Sequence, residues 1–420
     1  MTVVRFAYLL PSLLPVPPPF SATPMMKICM LSYSFYESDT RLLQYTSALV
    51  ERGDQVDVVA LRPKNATRFE VLDGVNVFRI QSRTVNERGR FGYLLRILSF
   101  LVLSTFVLGR KHFSRRYDVI HVHSVPDFLV FAAILPKLFG ARIILDIHDI
   151  LPEFYASKFG AKSTSIVFEL MVLVEKLSIA FADHVIVANH LWQDRLLSRS
   201  VTRGKCTTVL NYAAPRIFCR SLKSHKNGKF LITYPGSLNP HQGVDIAMRA
   251  FARVAQEMPN AEFHIYGEGP CKPSLLRLKE ELGLASKILI HDFLPTSEMA
   301  QIMASSDLAV VPKRASSVFG NEAMSTKTTE FMLLGVPLVM SRTQVDTFYY
   351  NESMVKFFES ENEAELADCM LLLWRDPRLR AQLVANASRY VEQNDWREKK
   401  HDYLRLVDAL GNAVATAENA

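Results

Sequence analysis

The chain reads as an α/β protein of two doubly wound parallel-sheet domains that face each other across a cleft. Three observations carry this reading. The 420 residues exceed the roughly 250–300 that one hydrophobic core sustains, so two domains are expected. Short β-branched runs recur along the chain, separated by longer stretches with helical spacing. That alternation is the pattern of parallel sheets covered by helices on both faces. It breaks once, at 213–228, where Pro215, a run of basic and polar residues and Gly228 interrupt it.

The elements follow in order. Residues 1–25 carry Pro11, Pro15, Pro17, Pro18, Pro19 and Pro24, too many for the helical core of a signal peptide, and read as an extension outside the fold. In the first domain, 26–212, strands are expected at 27–33, 55–61, 75–80, 118–123, 142–148, 184–189 and 206–211. A linker occupies 213–228. In the second domain, 229–394, strands are expected at 230–237, 261–267, 287–294, 308–313, 337–343 and 354–360. Helical spacing marks 40–53, 163–182, 244–257, 273–283, 296–305 and 326–335. The segment 395–420 is expected to form a helix that crosses back to the first domain.

Hydrophobic residues at 49% and charged ones at 22% exclude a disordered or fibrous chain. Cys29, Cys206, Cys219, Cys271 and Cys369 are scattered and form no C-x-x-C, which argues against a disulfide framework, a structural zinc site or a dithiol redox centre. A reducing compartment fits. The net charge of +7 is local. Between Arg83 and Arg116 lie eight Lys and Arg opposed by Glu87 alone, and the rest of the chain is balanced. Nucleic-acid binders spread basic residues along a face, so one patch points instead to a specific anionic partner.

That patch brackets an apolar run at 97–109, too short for the about 20 residues of a membrane span. Spanning would also place the two halves of the first sheet on opposite sides of a bilayer. A buried core helix explains the run but not the flanking arginines; a helix docked on an anionic leaflet explains both. The expectation is a cytoplasmic protein, peripheral at the inner face of the cell membrane through 83–116.

Open parallel sheets bind ligands beyond the carboxyl ends of their strands. The first such loop runs from Ser32 to Asp39 without a G-x-G-x-x-G or Walker pattern, which excludes a classical dinucleotide dehydrogenase or P-loop enzyme. The densest chemistry lies at 311–337. This segment leaves a strand, turns at Gly320-Asn321, enters a helix capped by Ser325 and stops at Gly335-Val336-Pro337. The first-turn amides, with Lys327 beside them, form a phosphate cradle. Glu322 and Glu330 flank it. Carboxylates accept hydrogen bonds from hydroxyls, so the arrangement suits a nucleotide sugar, with ribose on one side of the diphosphate and hexose on the other. Ordinary solvated helix-end charges would show the same spacing.

Glu322-x7-Glu330 followed by Phe331-Met332-x2-Gly335-Val336-Pro337 resembles the E-x7-E signature of family 4 retaining glycosyltransferases, of bacterial polysaccharide or lipid-linked saccharide type. Those enzymes have the GT-B fold of two Rossmann-like domains. Asp118-Val119-Ile120-His121-Val122-His123, Leu145-Asp146-Ile147-His148-Asp149, Tyr234-Pro235-Gly236-Ser237-Leu238 and Phe263-His264-Ile265-Tyr266-Gly267-Glu268-Gly269-Pro270 are similar to further family segments. The resemblance implies that Glu330 binds ribose and that Glu322 binds the donor sugar. It sets Gly267 and Glu268 beside the nucleobase, Gly236 and Gly243 around the diphosphate, and Lys327 and Thr328 on the donor helix. His148 matches the histidine that faces the reaction centre from the opposite domain, with Asp149, Pro152 and Glu153 in its loop; His121 and His123 read as structural.

Two departures stand out. Ser237 and Gln242 occupy the donor-site places of the family's Arg–Lys pair, and Glu37-Ser38-Asp39 replaces its Gly-Gly loop. Lys313, Arg314 and Lys327 are expected to supply the missing charge. The implied activity is transfer from a nucleotide-diphosphate-sugar, with retention, to a saccharide or lipid-linked acceptor in cell-surface polysaccharide synthesis. The family needs no metal or cofactor, and its leaving phosphate helps deprotonate the acceptor. Two alternatives remain: a catalytically silent GT-B scaffold, favoured by Ser237 and Gln242, and a GT-B sugar-nucleotide epimerase.

Overall fold

A computed structural model of the protein describes residues 25–83, 90–159, 165–220 and 228–418. The N-terminal extension lies outside these residues except for Met25, as do Glu87, Arg88 and the linker residues 221–227. The first sheet contains β1 (Lys27–Ser32), β2 (Gln55–Arg62), β3 (Phe69–Leu72), β4 (Val75–Ser82), β5 (Val119–His123), β6 (Arg142–Ile147), β7 (His184–Val187) and β8 (Cys206–Thr208). Their order is β3-β4-β2-β1-β5-β6-β7-β8, parallel throughout except for β3 against β4. The second sheet contains β9 (Phe230–Pro235), β10 (Ala261–Tyr266), β11 (Ile288–His291), β12 (Leu308–Val311), β13 (Leu338–Arg342) and β14 (Lys356–Glu359). It is wholly parallel in the order β11-β10-β9-β12-β13-β14.

Each strand expected from sequence is present. β3 was not expected. It forms a hairpin with β4 through Asp73 and Gly74, both at positive φ (47° and 82°), the backbone that a two-residue Asp-Gly turn adopts. Three of its four residues are exposed, so it lacks the apolar alternation that marks the other strands.

Both faces of the first sheet are covered, as a parallel sheet requires. On one face Leu31, Val122 and Leu145 pack with Phe100, Leu129, Ile179 and Trp192. On the other, Ile28, Met30 and Val58 pack with Tyr45 of the helix Thr40–Arg52 and with Tyr403 and Val407 of the last helix, Trp396–Glu418. The last helix therefore lies on the first domain, where the Tyr403 hydroxyl and His121 Nδ1 are 3.1 Å apart.

The helix Arg90–Arg115 buries Ile97, Phe100, Ser104 and Leu108 and leaves its opposite side exposed. Within it, Gly92–Arg115 is long and apolar enough to cross a membrane by length and composition, but the strands before and after it, β4 and β5, belong to one sheet. The basic patch is smaller than the sequence suggested. Arg115 turns inward to Asp57 at 2.9 Å and Lys111 approaches the same carboxylate at 3.8 Å, because Asp57 is buried and needs the compensating charge.

In each sheet the strand order reverses beside the first strand, between β1 and β5 and between β9 and β12. Loops at the carboxyl ends diverge at such a point and leave a crevice.

Candidate functional site

The second domain's half of the crevice starts where β9 ends. Gly236 sits at φ +137°, and a Cβ there would lie 2.2 Å from Lys327 Cε. A Cβ on Gly267 would lie 1.8 Å from the Gly236 carbonyl oxygen. Only glycine at both positions lets the loops after β9 and β10 close on each other with Lys327 laid across them. Gly243, the left-handed residue before the helix Val244–Val254, completes this loop.

Lys327 Nζ lies 3.4 Å from Gln242 Oε1 and 5.4 Å from the Tyr234 ring centroid. Gln242 Oε1 also accepts from the Tyr234 hydroxyl at 3.1 Å. Among the described residues Lys327 forms no ion pair. Burial, opposed by Glu330 and assisted by Lys313, brings its ammonium down to about 8.

Lys327 opens the helix Thr326–Leu334, which ends at Gly335 in the left-handed conformation, as the sequence suggested. Two details differ from expectation. Gly320-Asn321 is not a turn but part of a separate short helix, Val318–Glu322, so Glu322 is carried by its own element. Ser325 occupies the N-cap position, yet its side chain makes no capping bond. Its Oγ is buried without a hydrogen-bond partner within the chain, and so is Thr328 Oγ1. Two buried, unpartnered hydroxyls and an ammonium thus belong to the N-cap and first turn of this helix, groups of the kind that donate to an anion at a helix start.

Glu330, one turn further on, is half-buried; burial raises its carboxyl while Lys327 and Thr326 oppose the shift. Glu330 and Thr326 line a cavity of about 310 Å³ whose other walls include Ser34, Asp39, Arg41 and His148 of the first domain. His148 and Glu330 thus face one space from opposite domains.

His148 is fixed from behind. Its Nε2 lies 3.4 Å from Asp146 Oδ2 and 3.1 Å from His123 Nδ1. Arg41 donates to both Asp146 oxygens at 2.8 Å, and Arg41, Asp146, His121 and His123 are buried. Burial alone would raise the Asp146 carboxyl, but Arg41 and then His148 hold it well below the usual carboxylate range. His121, His123 and Asp146 bring ligand-type atoms within 4.8 Å of one another. Asp146 is engaged by Arg41 on both oxygens and by His121 and His148 on Oδ2, so the group reads as a hydrogen-bonded buttress. Glu153, expected in the same loop, lies instead in the helix Leu151–Phe159, where it pairs with Arg199 at 2.6 Å and lies 3.6 Å from Arg195.

The remaining expected residues divide. Glu322 is bound bidentately by Arg195 of the first domain, Nε to Oε2 at 3.0 Å, while Asn189 Nδ2 donates to its carbonyl at 3.0 Å. It is a domain-joining group in this state. Lys313 is buried, 2.7 Å from Asp346, and donates to the Ala323 carbonyl at 2.8 Å. Arg314 grips both Asp245 oxygens, at 3.0 and 2.7 Å, and Glu361 at 3.1 Å. Both cations are already compensated by carboxylates, which leaves neither with an unpaired charge for a diphosphate, contrary to expectation. Of the three, Lys327 is the one without an ion pair among the described residues. Ser237 is exposed and offers its carbonyl to the Tyr234 hydroxyl; the Glu268 side chain pairs with Lys272 at 2.6 Å beside the Gly267 turn.

Sequence reasoning missed Arg41, Asp146 and Arg195. Arg41 did carry a signal: it falls on the same helical stripe as the apolar Tyr45 and Leu49, where an arginine must be buried and paired. Arg195 carried none, since its partner lies in the other domain.

Comparison with known proteins finds likenesses over both domains. Residues 38–211 match the family described as glycosyl transferase 4-like domain, and residues 229–376 match glycosyl transferases group 1. The gpi3 subunit of phosphatidylinositol N-acetylglucosaminyltransferase from Schizosaccharomyces pombe is 21% identical over 389 residues, 89% of this chain and 80% of the relative. An uncharacterised glycosyltransferase of Methanocaldococcus jannaschii is 24% identical over 305 residues, 70% of this chain and 73% of its own. Among solved structures, sucrose-phosphate synthase of Thermosynechococcus elongatus superposes with a TM-score of 0.76 at 16% identity, covering 92% of this chain and 100% of that one. Anabaena HepE in complex with UDP gives 0.64 at 17% identity over 94% and 100%. The two family matches fall one on each sheet domain and together take in more than three quarters of the chain, which is a GT4-type glycosyltransferase with the GT-B fold.

Proposed function

We propose that the protein transfers a sugar, with retention and without a metal, from a nucleotide-diphosphate-sugar to a saccharide or lipid-linked acceptor at the cytoplasmic face of a membrane, in cell-surface polysaccharide synthesis. One observation carries the donor half: Lys327 lies across the Gly236 loop at the start of a helix whose Ser325 and Thr328 hydroxyls are buried and unpartnered. A diphosphate there would meet amides, hydroxyls and one ammonium. Its ribose would reach Glu330 and its sugar would point toward Glu322 and His148. The solved HepE complexes with UDP and glucose make this donor class a natural one.

The chemistry follows from charge. The leaving diphosphate gains negative charge in the transition state, and preorganised donors stabilise it most when water is excluded. Lys327, at about 8 in the free protein, becomes fully charged once a diphosphate lies beside it. His148, held by Asp146 and backed by Arg41, lines the cavity from the first domain, the side this reading gives to the acceptor. The leaving phosphate then takes the acceptor proton on the same face.

A second reading, a nucleotide-binding scaffold without turnover, is favoured by neutral Ser237 and Gln242 and by the compensation of Lys313 and Arg314. A thermal-shift screen against nucleoside diphosphates and nucleotide sugars tests the shared premise. A ligand at 100 times its Kd should stabilise the protein by about 2.7 kcal/mol. No shift with any nucleotide would contradict both readings, and a shift without donor turnover would select the scaffold.

A further inference from the structure

We propose that the outer side of the first domain's helical layer docks flat on an anionic lipid bilayer through two helices, Arg90–Arg115 and Ile166–Phe181. Both helices lie on the same face of the first sheet. Each packs against the segment Asp127–Ala133, and Ile97, Phe100 and Ile179 share one core. Each buries one stripe and presents the other outward.

The outward stripes are apolar. Leu95, Val102 and Phe106 are 67%, 68% and 69% exposed on the first helix, and Ile166 and Leu170 are 87% and 58% exposed on the second. Leu138, 73% exposed, ends the short helix Ile134–Leu138, which packs beside the first of the two. Single exposed leucines mean little, but two full helix faces of them exceed what a monomeric soluble surface carries. The first helix alone runs about 39 Å at 1.5 Å per residue.

The charges select the occupant. The helix Arg90–Arg115 contains no acidic residue, and Arg96, Arg110 and the following Arg116 are exposed along and beyond it. On the second helix Lys176 and Glu169 are exposed, while Glu175 is buried and bonded to Arg199. An apolar centre with basic ends complements acyl chains beneath anionic headgroups. A second copy of the chain, docked on the same patch, would set these arginines against each other.

The platform reaches the cleft. Tyr93 near its amino end lies 6.4 Å, ring to ring, from Tyr33, and the Arg83 guanidinium lies over both rings. Tyr33 immediately precedes Ser34, which lines the cavity opposite Glu330. A docked bilayer would therefore border the acceptor side and present a saccharide on a lipid anchor; this consequence rests on the transferase reading, whereas docking itself does not.

Co-sedimentation of the full chain with phosphatidylcholine vesicles, with and without phosphatidylglycerol, tests the proposal. Binding should require the anionic lipid and fall with salt. Val102→Gln with Phe106→Gln, and separately Leu170→Gln with Leu173→Gln, should each weaken it at least about tenfold. Arg110→Ser with Arg116→Ser should cost roughly fivefold per arginine. These positions are exposed, so thermal melts and nucleoside diphosphate affinity should stay at the wild-type values. Absent binding to anionic vesicles, or equal binding to neutral ones, would overturn the proposal. So would wild-type binding by the Leu170/Leu173 variant, which would leave a one-helix contact. A solution dimer that the same substitutions dissociate, without vesicle binding, would assign the face to a second copy. Failure of the transferase reading would show instead as missing nucleotide shifts with vesicle binding intact.

Discussion

Arg195 of the first domain and Glu322 of the second join the two domains, the guanidinium bonding both carboxylate oxygens, with Nε to Oε2 at 3.0 Å. A second crossing contact runs from the His190 amide to the Tyr349 hydroxyl at 2.9 Å. A sugar whose hydroxyls donate to the Glu322 carboxylate must share it with Arg195 or displace it.

This relationship separates two roles for Glu322. If its carboxylate binds sugar, Glu322→Ala should lower kcat/KM by roughly 10- to 150-fold, the worth of a charged hydrogen bond, and leave nucleoside diphosphate affinity within about twofold. Arg195→Ala, which frees the carboxylate, should then cost less than about tenfold. Steady-state kinetics on both variants and the double variant check this. Equal losses for the two single variants would make the pair a clasp alone.

Lys327 gives a pH signature. With its free ammonium near 8, it is charged below that pH and progressively neutral above it. Nucleoside diphosphates are fully ionised above about pH 7, so their own titration does not intrude. Affinity measured by titration calorimetry should therefore weaken as pH rises through about 8, by up to about tenfold per unit. Lys327→Arg should abolish that slope while keeping affinity, and Lys327→Ala should cost at least about tenfold in kcat/KM. A flat wild-type profile would remove Lys327 from the diphosphate.

Glu330→Ala should weaken the bare nucleoside diphosphate by roughly 10- to 150-fold, because the lost partner is the ribose. Glu330→Gln should recover part of this, since the amide oxygen still accepts a hydrogen bond. Calorimetry on both variants decides the matter; wild-type affinity in Glu330→Ala would exclude the ribose contact.

Arg41 and Asp146 form a buried pair, and removing one partner of such a pair typically costs about 3–5 kcal/mol. Arg41→Ala should lower the denaturation midpoint accordingly. The Asp146 carboxyl is depressed in the folded chain, so its contribution is complete above about pH 4, its unfolded value, and is lost as pH falls toward the folded one. Asp146→Asn should therefore be less stable at neutral pH and less sensitive to acid. Urea melts at several pH values measure both.

What could be read in the sequence was what depends on local pattern. The two parallel sheets followed from alternation, and the end of the helix Thr326–Leu334 from Gly335-Val336-Pro337. The fates of Lys313, Arg314 and Glu322 were not legible, because Asp346, Asp245 and Arg195 sit on separate elements and only folding brings them near. β3 escaped because an edge strand exposed on both sides carries no alternation, although its Asp73-Gly74 turn was in plain view. The basic patch was legible in composition but not in direction: nothing in the spacing of Lys111 and Arg115 says that both lean on Asp57.

The most direct measurement is donor turnover: release of nucleoside diphosphate from a panel of nucleotide sugars, with the anomeric configuration of the product read by NMR. At least one donor should be consumed, the transferred sugar should keep the donor's anomeric configuration, and Lys327→Ala should suppress release by about tenfold or more. Tight nucleotide binding with no release from any donor, in the presence of saccharide and lipid-linked acceptors, would contradict a transferase and leave a GT-B scaffold.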